Sequence, residues 1–445
     1  MEKEGIKKSF VIVGGGISGL TLLHYLKLQN PQEDIKLFEK DQVLGGTIRS
    51  LIQNGYTFET GPNAFLDSGA QTKQFIAELG LNKKIIKANA AATMRWVFKN
   101  NKLHPFPTNP KNFFAGELLS PIEKLRVLGE IFIPKRNDPK ESVYSFGARR
   151  FGPAFAENFL DPLVSGIYGG DARQLNLKAA FPKIYDLEKK FGSLSKARFK
   201  SKKQHVTLSS FEAGMSEIIK ALGLHYRDHI FLNQEITKII PQAKQYMVES
   251  NGQSYVADKL FISTPAYAAA SLVKDMDLEL SESLNEIAYA PLAVIGLGYR
   301  KTAFQHAPQG FGYLFPSSEK KKILGVLFES NIFPCRSGAD QCLLRVMLGG
   351  MRHADILKHS KEALIALAQK EIETRFFPRE KPEEIFFKSF EKAIPQYDQN
   401  YVRVKEILEK KLIQWQNLYL AANYYHGVSF NDCIEQAYQT VQKNL

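Results

Sequence analysis

This chain has few cysteines, no long apolar run and no apolar stretch in its first nine residues. Its 445 residues include Cys335, Cys342 and Cys433, which form no CxxC pair. This spacing argues against a disulfide framework and against a thiolate metal site, and it fits a reducing compartment. No apolar run approaches the ~20 residues that cross a bilayer, and residues 1–9 lack the apolar core of a signal peptide. We therefore expect a cytoplasmic protein without a metal ion, either soluble or peripheral at the inner face of the cell membrane.

Acidic residues are outnumbered by basic ones, and the formal net charge is +13. Much of the excess lies in one basic run, which comprises Lys189, Lys190, Lys196, Arg198, Lys200, Lys202 and Lys203. Either a solvated loop or an attraction to an anionic membrane surface would account for this run. No helix-turn-helix, zinc finger or aromatic RNA-binding signature accompanies the charge, so we expect no nucleic-acid partner.

The N-terminal region carries a pattern typical of nucleotide binding. An apolar run at 10–13 predicts a buried parallel strand, and the sequence Gly-Gly-Gly-Ile-Ser-Gly follows directly at 14–19. Helical spacing continues over 20–29, and a second predicted strand at 35–38 ends in Glu39. A GxGxxG sequence between a strand and a helix, with an acidic residue at the end of the next strand, predicts a dinucleotide site.

Each of these residues has a physical role in such a site. Gly14 permits the tight turn, Gly16 lets the backbone approach a pyrophosphate, and Gly19 lets helix and strand pack closely. The free N–H groups and positive dipole end of the helix then face the phosphates. Glu39 lies 20 residues after Gly19, where a carboxylate can accept hydrogen bonds from ribose hydroxyls. It would also repel the 2′-phosphate of NADP.

A second glycine turn, Leu-Gly-Gly-Thr-Ile-Arg at 44–49, follows this acidic residue, and Glu-Thr-Gly-Pro-Asn comes at 59–63. NAD-dependent dehydrogenases do not require either segment. The two resemble the glycine motifs of the FAD-binding, amine-oxidase-like flavoprotein superfamily, which implies FAD as the cofactor. The role of Arg49 stays open between a phosphate or flavin partner and a surface arginine.

The resemblance extends along nearly the whole chain and is specific to the oxygen-dependent protoporphyrinogen oxidase family within that superfamily. The matching segments are 59–66, 162–171, 290–294, 310–316, 394–397 and 423–428. The sequence Ser-Gly-Ile-Tyr-Gly-Gly-Asp at 165–171 is the most specific of them. The resemblance implies that FAD contacts Gly14, Gly15, Gly16, Ile17, Ser18, Gly19, Glu39, Lys40, Gly45, Gly46, Thr47, Ile48, Gly61, Pro62, Asn63, Ala64, Ile236, Gly427, Val428 and Ser429.

The same resemblance implies a reaction and a substrate site. The family oxidises protoporphyrinogen IX to protoporphyrin IX in haem biosynthesis by hydride transfer to the flavin, with O2 as acceptor and H2O2 as product. Arg95 would anchor a propionate, and Leu314 and Phe328 would flank a pyrrole ring. A loop containing Gly166 and Ile167 would bring bare backbone near the macrocycle. We expect no catalytic side chain, because the cofactor carries the difficult chemistry. Homodimers occur in the family.

The predicted fold combines α/β and α+β parts. A discontinuous Rossmann-like FAD-binding domain would comprise residues 1–70, 205–270 and 411–445. A mixed-sheet substrate domain would comprise 71–105 and 271–410, and a mainly helical insertion would comprise 106–204. In the insertion, Ser120 and Glu123 form a capping box before an apolar helical pattern. This helix would either pack on its neighbours or face a membrane beside the active-site mouth.

Three alternatives stay open. A carotenoid desaturase or amine oxidase could use the same scaffold, although the 165–171 segment does not belong to those enzymes. A coproporphyrinogen III oxidase would apply the same chemistry to a tetracarboxylate and should need additional cations, whereas Asp67 is acidic. A non-catalytic lipid carrier of this fold would not need to keep the flavin contacts, all of which have candidates here.

Overall fold

A computed structural model describes residues 7–200 and 206–444, so Lys202 and Lys203 of the basic run lie outside the described residues. In chain order the strands are β1 (Ser9–Val13), β2 (Asp34–Phe38), β3 (Ser50–Gln53), β4 (Tyr56–Glu59), β5 (Phe65–Leu66), β6 (Ile85–Lys87), β7 (Arg95–Lys99), β8 (Lys102–Pro105), β9 (Leu208–Phe211), β10 (Ile230–Phe231), β11 (Ile236–Gln242), β12 (Gln245–Ser250), β13 (Gln253–Ala257), β14 (Lys259–Ile262), β15 (Tyr289–Arg300), β16 (Gly312–Leu314), β17 (Ile323–Leu327), β18 (Gln341–Gly349), β19 (Glu384–Pro395) and β20 (Leu418–Leu420).

The helices are α1 (Ile17–Gln29), α2 (Ala70–Glu78), α3 (Pro110–Ala115), α4 (Pro121–Leu128), α5 (Val143–Phe151), α6 (Pro153–Phe155), α7 (Asp161–Tyr168), α8 (Leu177–Ala180), α9 (Pro182–Phe191), α10 (Leu194–Lys200), α11 (Ser216–His225), α12 (Ala266–Val273), α13 (Leu278–Asn285), α14 (Glu329–Ile332), α15 (Lys361–Phe376), α16 (Gln399–Gln414), α17 (Asn423–His426) and α18 (Phe430–Asn444). Short 3₁₀ turns and one π-helical turn connect several of them.

Five parallel strands in the order β10-β2-β1-β14-β20 form the first sheet. Phe10 and Ile12 of β1 are buried in the core beneath one face. Val11 and Val13 are buried in the core beneath the other face. A strand with apolar side chains on both faces belongs between two layers, and the buried parallel strand predicted at the N-terminus is confirmed.

Helices α1, α2, α11 and α18 cover one face of the parallel sheet. The antiparallel β11-β12-β13 sheet and helices α12, α13 and α16 cover the other face. The predicted domain boundaries at residues 70, 270 and 410 stay predictions. The packing nevertheless groups α2, α13 and α16 with the parallel sheet, although α13 and most of α2 and α16 fall within the segments predicted for the substrate domain.

The second large sheet has seven strands in the order β19-β15-β18-β17-β16-β7-β8. Strand β7 runs parallel to β16, and the other neighbouring pairs are antiparallel. Its outer face packs on α15. Its inner face turns toward the parallel-sheet half, where Gly296 and Gly298 leave room for the rings of Phe58 and Tyr56. The predicted combination of α/β and α+β parts is confirmed.

Helices α3 to α10 lie between β8 and β9 and form the predicted helical insertion. The Ser120 hydroxyl accepts from Glu123 N at 3.3 Å, and the Glu123 carboxylate accepts from Ser120 N at 2.7 Å, which confirms the capping box. The helix ends at Leu128 and a single 3₁₀ turn follows it, Gly129–Phe132. Within 7–200 and 206–444, no helix has both the length and the apolar character that spanning a membrane requires.

Candidate functional site

The glycine turn lies at the carboxyl end of β1. The Gly14 N–H donates to Phe38 O at 2.8 Å. The φ of Gly14 is +106°, a value that residues with a Cβ rarely adopt. A Cβ at Gly19 would overlap the carbonyl oxygen of Gly14, so helix and strand can approach only through a glycine. At Gly16 an added Cβ would meet no heavy atom within 4 Å. The protein therefore leaves open space at the turn where the sequence predicts a pyrophosphate.

Glu39 is held at the end of β2 by the backbone. Its Oε2 accepts from Gly15 N at 2.6 Å, and its Oε1 accepts from Asp41 N at 2.9 Å. A carboxylate oxygen can accept two hydrogen bonds, so each oxygen keeps capacity for a further donor. The contact with ribose hydroxyls stays a prediction. Lys40, the next residue, is exposed.

The second glycine turn packs directly on the first. Gly45 N donates to Gly15 O at 2.9 Å, and a Cβ at Gly46 would approach the Cα of Gly16 at 3.7 Å. Gly61 in turn lies so close to Thr47 O that a Cβ there would overlap it. The three glycine-containing segments named by the sequence therefore meet, backbone to backbone, next to the open space at Gly16.

The side chains near this space differ in exposure. Ile17 and Ser18, in the first turn of α1, are buried, as is Ile48. Arg49 pairs through Nη2 with Asp41 at 3.1 Å. Its Nε is buried and has no hydrogen-bond partner within the described part of the chain, so a donor faces inward beside the glycine turns. This favours the reading of Arg49 as a ligand-facing residue.

The C-terminal turn leads into α18. Gly427 has a φ of +143°, and a Cβ there would come within 2.6 Å of Asp432. Ser429 caps the helix, because its hydroxyl accepts from Asp432 N at 3.1 Å and its carbonyl accepts from Cys433 N at 3.0 Å. Val428 is half-buried between them. This geometry gives the turn the fixed backbone that a cofactor contact would need.

Two tyrosines bind the backbone of α17, which leads into that turn. The hydroxyl of Tyr397 donates to Asn423 O, and the hydroxyl of Tyr401 donates to Tyr425 O at 3.1 Å. Their rings stack with centroids 4.4 Å apart. The match at 394–397 included the first tyrosine, but no sequence signal identified the second.

Four further predicted cofactor contacts follow Gly61 or lie in β11. Pro62, Asn63 and Ala64 continue the turn after β4 and are half-buried. Ile236 is the first residue of β11 and is buried in the core beneath the parallel sheet. A contact between its backbone and the cofactor stays a prediction.

On the substrate side, Arg95 begins β7 and lies opposite Gly312 of β16. Its guanidinium stacks 4.7 Å from the ring centroid of Phe311. It donates no hydrogen bond and forms no ion pair with any residue in 7–200 or 206–444. Partial desolvation lowers the pKa of this guanidinium, although the side chain keeps an exposed surface. It is therefore a cation available to an anionic ligand.

The structure corrects one prediction about this side of the site. The segment containing Gly166 and Ile167 is not a loop, because it forms the last turns of α7 and ends at Gly169 in a left-handed conformation. The apolar run that starts at Pro162 is long enough for two helical turns, and the glycines read from sequence as a loop are a packing contact and a helix C-cap. Ile167 is 43% exposed.

Leu314 and Phe328 have different environments. Leu314 is half-buried, and a Cβ at Gly166 would lie 3.0 Å from its Cδ2, so α7 and β16 touch at this point. Phe328 is 1% exposed, and its ring packs 5.7 Å from that of Phe376 and 6.1 Å from that of Tyr313. The structure brings Leu314 to the side of Gly166, whereas Phe328 lies in the core of the seven-stranded sheet. A substrate contact for Phe328 stays a prediction that this packing does not support.

Sequence reasoning missed a set of buried charges around the turn after β4. Glu59 lies 3.4 Å from Arg336, and Glu329 lies 3.4 Å from Arg345. Burial raises the pKa of the Glu59 carboxyl, and the Arg336 guanidinium opposes that rise. Single charged residues inside apolar segments carry no spacing pattern, so only the folded structure brings them together.

Comparison with known proteins agrees with this geometry. The family model described as flavin containing amine oxidoreductase matches residues 17–443. Protoporphyrinogen oxidase of Bos taurus is 29% identical, covering 98% of this chain and 98% of its own length. Coproporphyrinogen III oxidase of Bacillus subtilis is 26% identical, covering 99% and 98%. The crystal structure of a protein from Exiguobacterium sp. aligns with a TM-score of 0.84 at 23% identity, covering 98% of each chain.

The residues present fit an FAD cofactor. At Gly16 an added Cβ would meet no protein atom within 4 Å, which leaves space where a pyrophosphate could approach the backbone. Glu39 keeps acceptor capacity at the end of β2, and the unpartnered Nε of Arg49 supplies a donor. A family model that covers almost the entire chain, together with this site, leads to one conclusion. The chain belongs to the flavin containing amine oxidoreductase family and is an FAD-dependent oxidoreductase.

Proposed function

We propose that this protein oxidises protoporphyrinogen IX to protoporphyrin IX, with FAD as the hydride acceptor and O2 as the final oxidant, which leaves as H2O2. Near-full-length relatives named as porphyrinogen oxidases support oxidation of a porphyrinogen. The observation that carries the proposal is Arg95, a guanidinium without an acidic partner in the part of the chain that the structure describes, close to the apolar contact between Leu314 and Gly166.

The reaction needs binding and orientation more than acid–base groups. Bound FAD accepts a hydride and so carries the oxidation. The protein would bind a propionate through Arg95, because a carboxylate that leaves water needs a charged partner. Apolar side chains such as Leu314 and Ile167 would contact the macrocycle and exclude water. Three rounds would remove six hydrogens, with one O2 reduced to H2O2 in each round.

A second candidate is oxidation of coproporphyrinogen III, because a relative with that name matches almost the entire chain. The two substrates differ in their carboxylates, two against four. Arg95, which forms no ion pair among the described residues, could bind one carboxylate of either substrate, so it does not decide between them. The choice between the two is open to direct measurement.

The test is to follow porphyrin fluorescence while purified, flavin-loaded protein acts on each porphyrinogen in air. We expect kcat/KM for protoporphyrinogen IX to exceed that for coproporphyrinogen III at least tenfold, with one H2O2 formed per O2 consumed. A reversed preference would replace the first candidate with the second. A protein that retains flavin and oxidises neither would contradict the proposal.

We further propose that the helical insertion docks on an anionic membrane surface. Five apolar side chains in and around α4 are more than half exposed: Phe114 57%, Ile122 79%, Leu125 68%, Leu128 53% and Phe132 84%. Exposed apolar clusters of this kind are typical of membrane or protein contacts. The charges of α4 itself are mixed, so another element would have to supply the attraction to anionic lipid.

The described part of the basic run, residues 189–200, would supply it, because it lies next to this patch in the fold although it is distant in sequence. Glu130, in the 3₁₀ turn that carries Phe132, accepts from the Ser193 hydroxyl at 2.7 Å and from Leu194 N at 3.1 Å. Leu194 begins α10, whose lysines are exposed and form no ion pair among the described residues. A basic surface beside exposed apolar side chains supports binding to anionic lipid.

A vesicle flotation experiment tests this. We expect the protein to float with phosphatidylglycerol-containing vesicles, and the triple variant Ile122→Ser, Leu125→Ser, Phe132→Ser to lose at least tenfold in partitioning, since each buried apolar side chain contributes roughly 1.5 kcal/mol or more.

The control variant replaces three apolar residues of similar exposure elsewhere, Leu224 at 73%, Phe377 at 77% and Ile413 at 79%, with serine. It should float like the parent protein. Equal loss in both variants, or binding that ignores lipid charge and salt, would contradict the proposed surface.

A further inference from the structure

Two buried ion pairs, Glu59–Arg336 and Glu329–Arg345, lie beside the turn after β4. Glu59, the last residue of β4, lies 3.4 Å from Arg336, and the guanidinium of Arg336 donates to Phe211 O at 3.0 Å. Further along the turn, Arg345 Nη2 donates to Gly61 O at 2.6 Å, and Arg345 Nη1 lies 3.4 Å from Glu329. All four charged side chains are less than one-tenth exposed, so bulk water screens their charges only weakly.

Glu329 also contacts this turn directly. The Asn63 side-chain amide donates to both oxygens of Glu329, at 3.1 and 3.2 Å. The carboxylate thus contacts Arg345 on the sheet and Asn63 on the turn, while Arg345 contacts Gly61. Arg345 and Glu329, which carry opposite charges, therefore both contact the segment 61–63 from the same side.

The opposite side of this segment packs on the second glycine turn. A Cβ at Gly61 would overlap Thr47 O, and the Thr60 hydroxyl donates to Thr47 O at 2.8 Å. The segment is therefore held between the second glycine turn and the Arg345–Glu329 pair. If one charge of the Arg345–Glu329 pair were removed, the electric field of the other would act on any group bound beside the turn. Low-dielectric surroundings screen such a field only weakly.

We propose that Glu329 and Arg345 are positioning residues that fix the 61–63 turn and, by balancing each other's charge, set the reduction potential of the FAD bound beside it. This rests on the proposed flavin function, but not on the identity of the porphyrinogen. Reduction adds negative charge to the flavin ring. An uncompensated Arg345 cation therefore favours the reduced form, and an uncompensated Glu329 anion disfavours it.

The test is the midpoint potential of purified holoenzyme, measured by dye-equilibrated reduction without substrate. We expect Glu329→Gln to raise the potential, Arg345→Gln to lower it, and the double variant to lie near the parent value. A merely structural pair gives no such pattern, because either single variant would then disturb the turn in the same way. Single-variant shifts of equal sign, or no shift in either variant, would overturn the proposal.

The matched control is Glu371 and Arg375, an ion pair at 2.9 Å in α15 on the outer face of the same sheet. The same glutamine substitutions there should leave the potential unchanged. If Arg345→Gln purifies without flavin, the sign of the shift in Glu329→Gln still decides: upward supports the proposal, and downward or no shift overturns it. Because no porphyrinogen is used, loss of the proposed oxidase activity would leave this result intact.

Discussion

The variant Gly16→Val should purify as a folded but colourless protein. Gly16 has φ −74° and ψ 178°, an extended conformation that valine adopts readily. An added Cβ meets no protein atom within 4 Å, so the apoprotein should keep the melting temperature of the parent apoprotein. The new methyl groups would occupy the space in which the pyrophosphate is predicted to bind. Losing one or two hydrogen bonds to a charged group costs about 3 kcal/mol, or roughly a hundredfold in FAD affinity.

The contrasting variant is Gly19→Ala. Its Cβ would overlap the carbonyl oxygen of Gly14, so here the damage falls on the packing of α1 against β1, and the apoprotein itself should melt at a lower temperature. Flavin titration followed by thermal melting of both apoproteins separates the two effects. A yellow Gly16→Val protein with parent affinity would contradict the placement of the phosphates at this turn.

The nucleotide-binding half was predictable because its signal is local. A buried strand, a glycine turn, a helix and an acidic residue at the next strand end lie within the first 39 residues, and the structure places all of them as expected. The other glycine turns were predicted from the family resemblance. Their backbone contacts, such as Gly45 N to Gly15 O, follow from the requirement for close approach at glycine.

The substrate half was predictable only in outline. The helix that contains Gly166 was read as a loop because glycine is a weak helix former, and tertiary packing against Leu314 overrides that preference. The buried arginine and glutamate pairs had no sequence signature at all. Phe328 shows another limit of sequence-based prediction. An aromatic residue next to a strand has the same sequence pattern whether it lies in a core or lines a cavity, and Phe328 lies in the core.

Arg95→Ala should weaken the binding of the porphyrinogen and leave FAD retention unchanged. The guanidinium forms no ion pair within the described residues, so its removal leaves no carboxylate of the protein unpaired and should not destabilise the fold. A charge-assisted hydrogen bond between arginine and a carboxylate contributes about 1.5–3 kcal/mol. KM for protoporphyrinogen IX should therefore rise roughly ten- to a hundredfold, with a smaller change in kcat.

The chemistry of the anchor makes this prediction specific. Arg95→Lys should recover part of the affinity, because a lysine keeps the charge but loses the two-pronged geometry that matches a carboxylate. Arg300→Ala serves as the control, since Arg300 is an exposed arginine that pairs with Glu383 at the far end of β15. Esterifying the propionates should remove the difference between the parent protein and Arg95→Ala. If KM for the diester still differs between the parent protein and Arg95→Ala, Arg95 affects the site in another way and the propionate assignment is wrong.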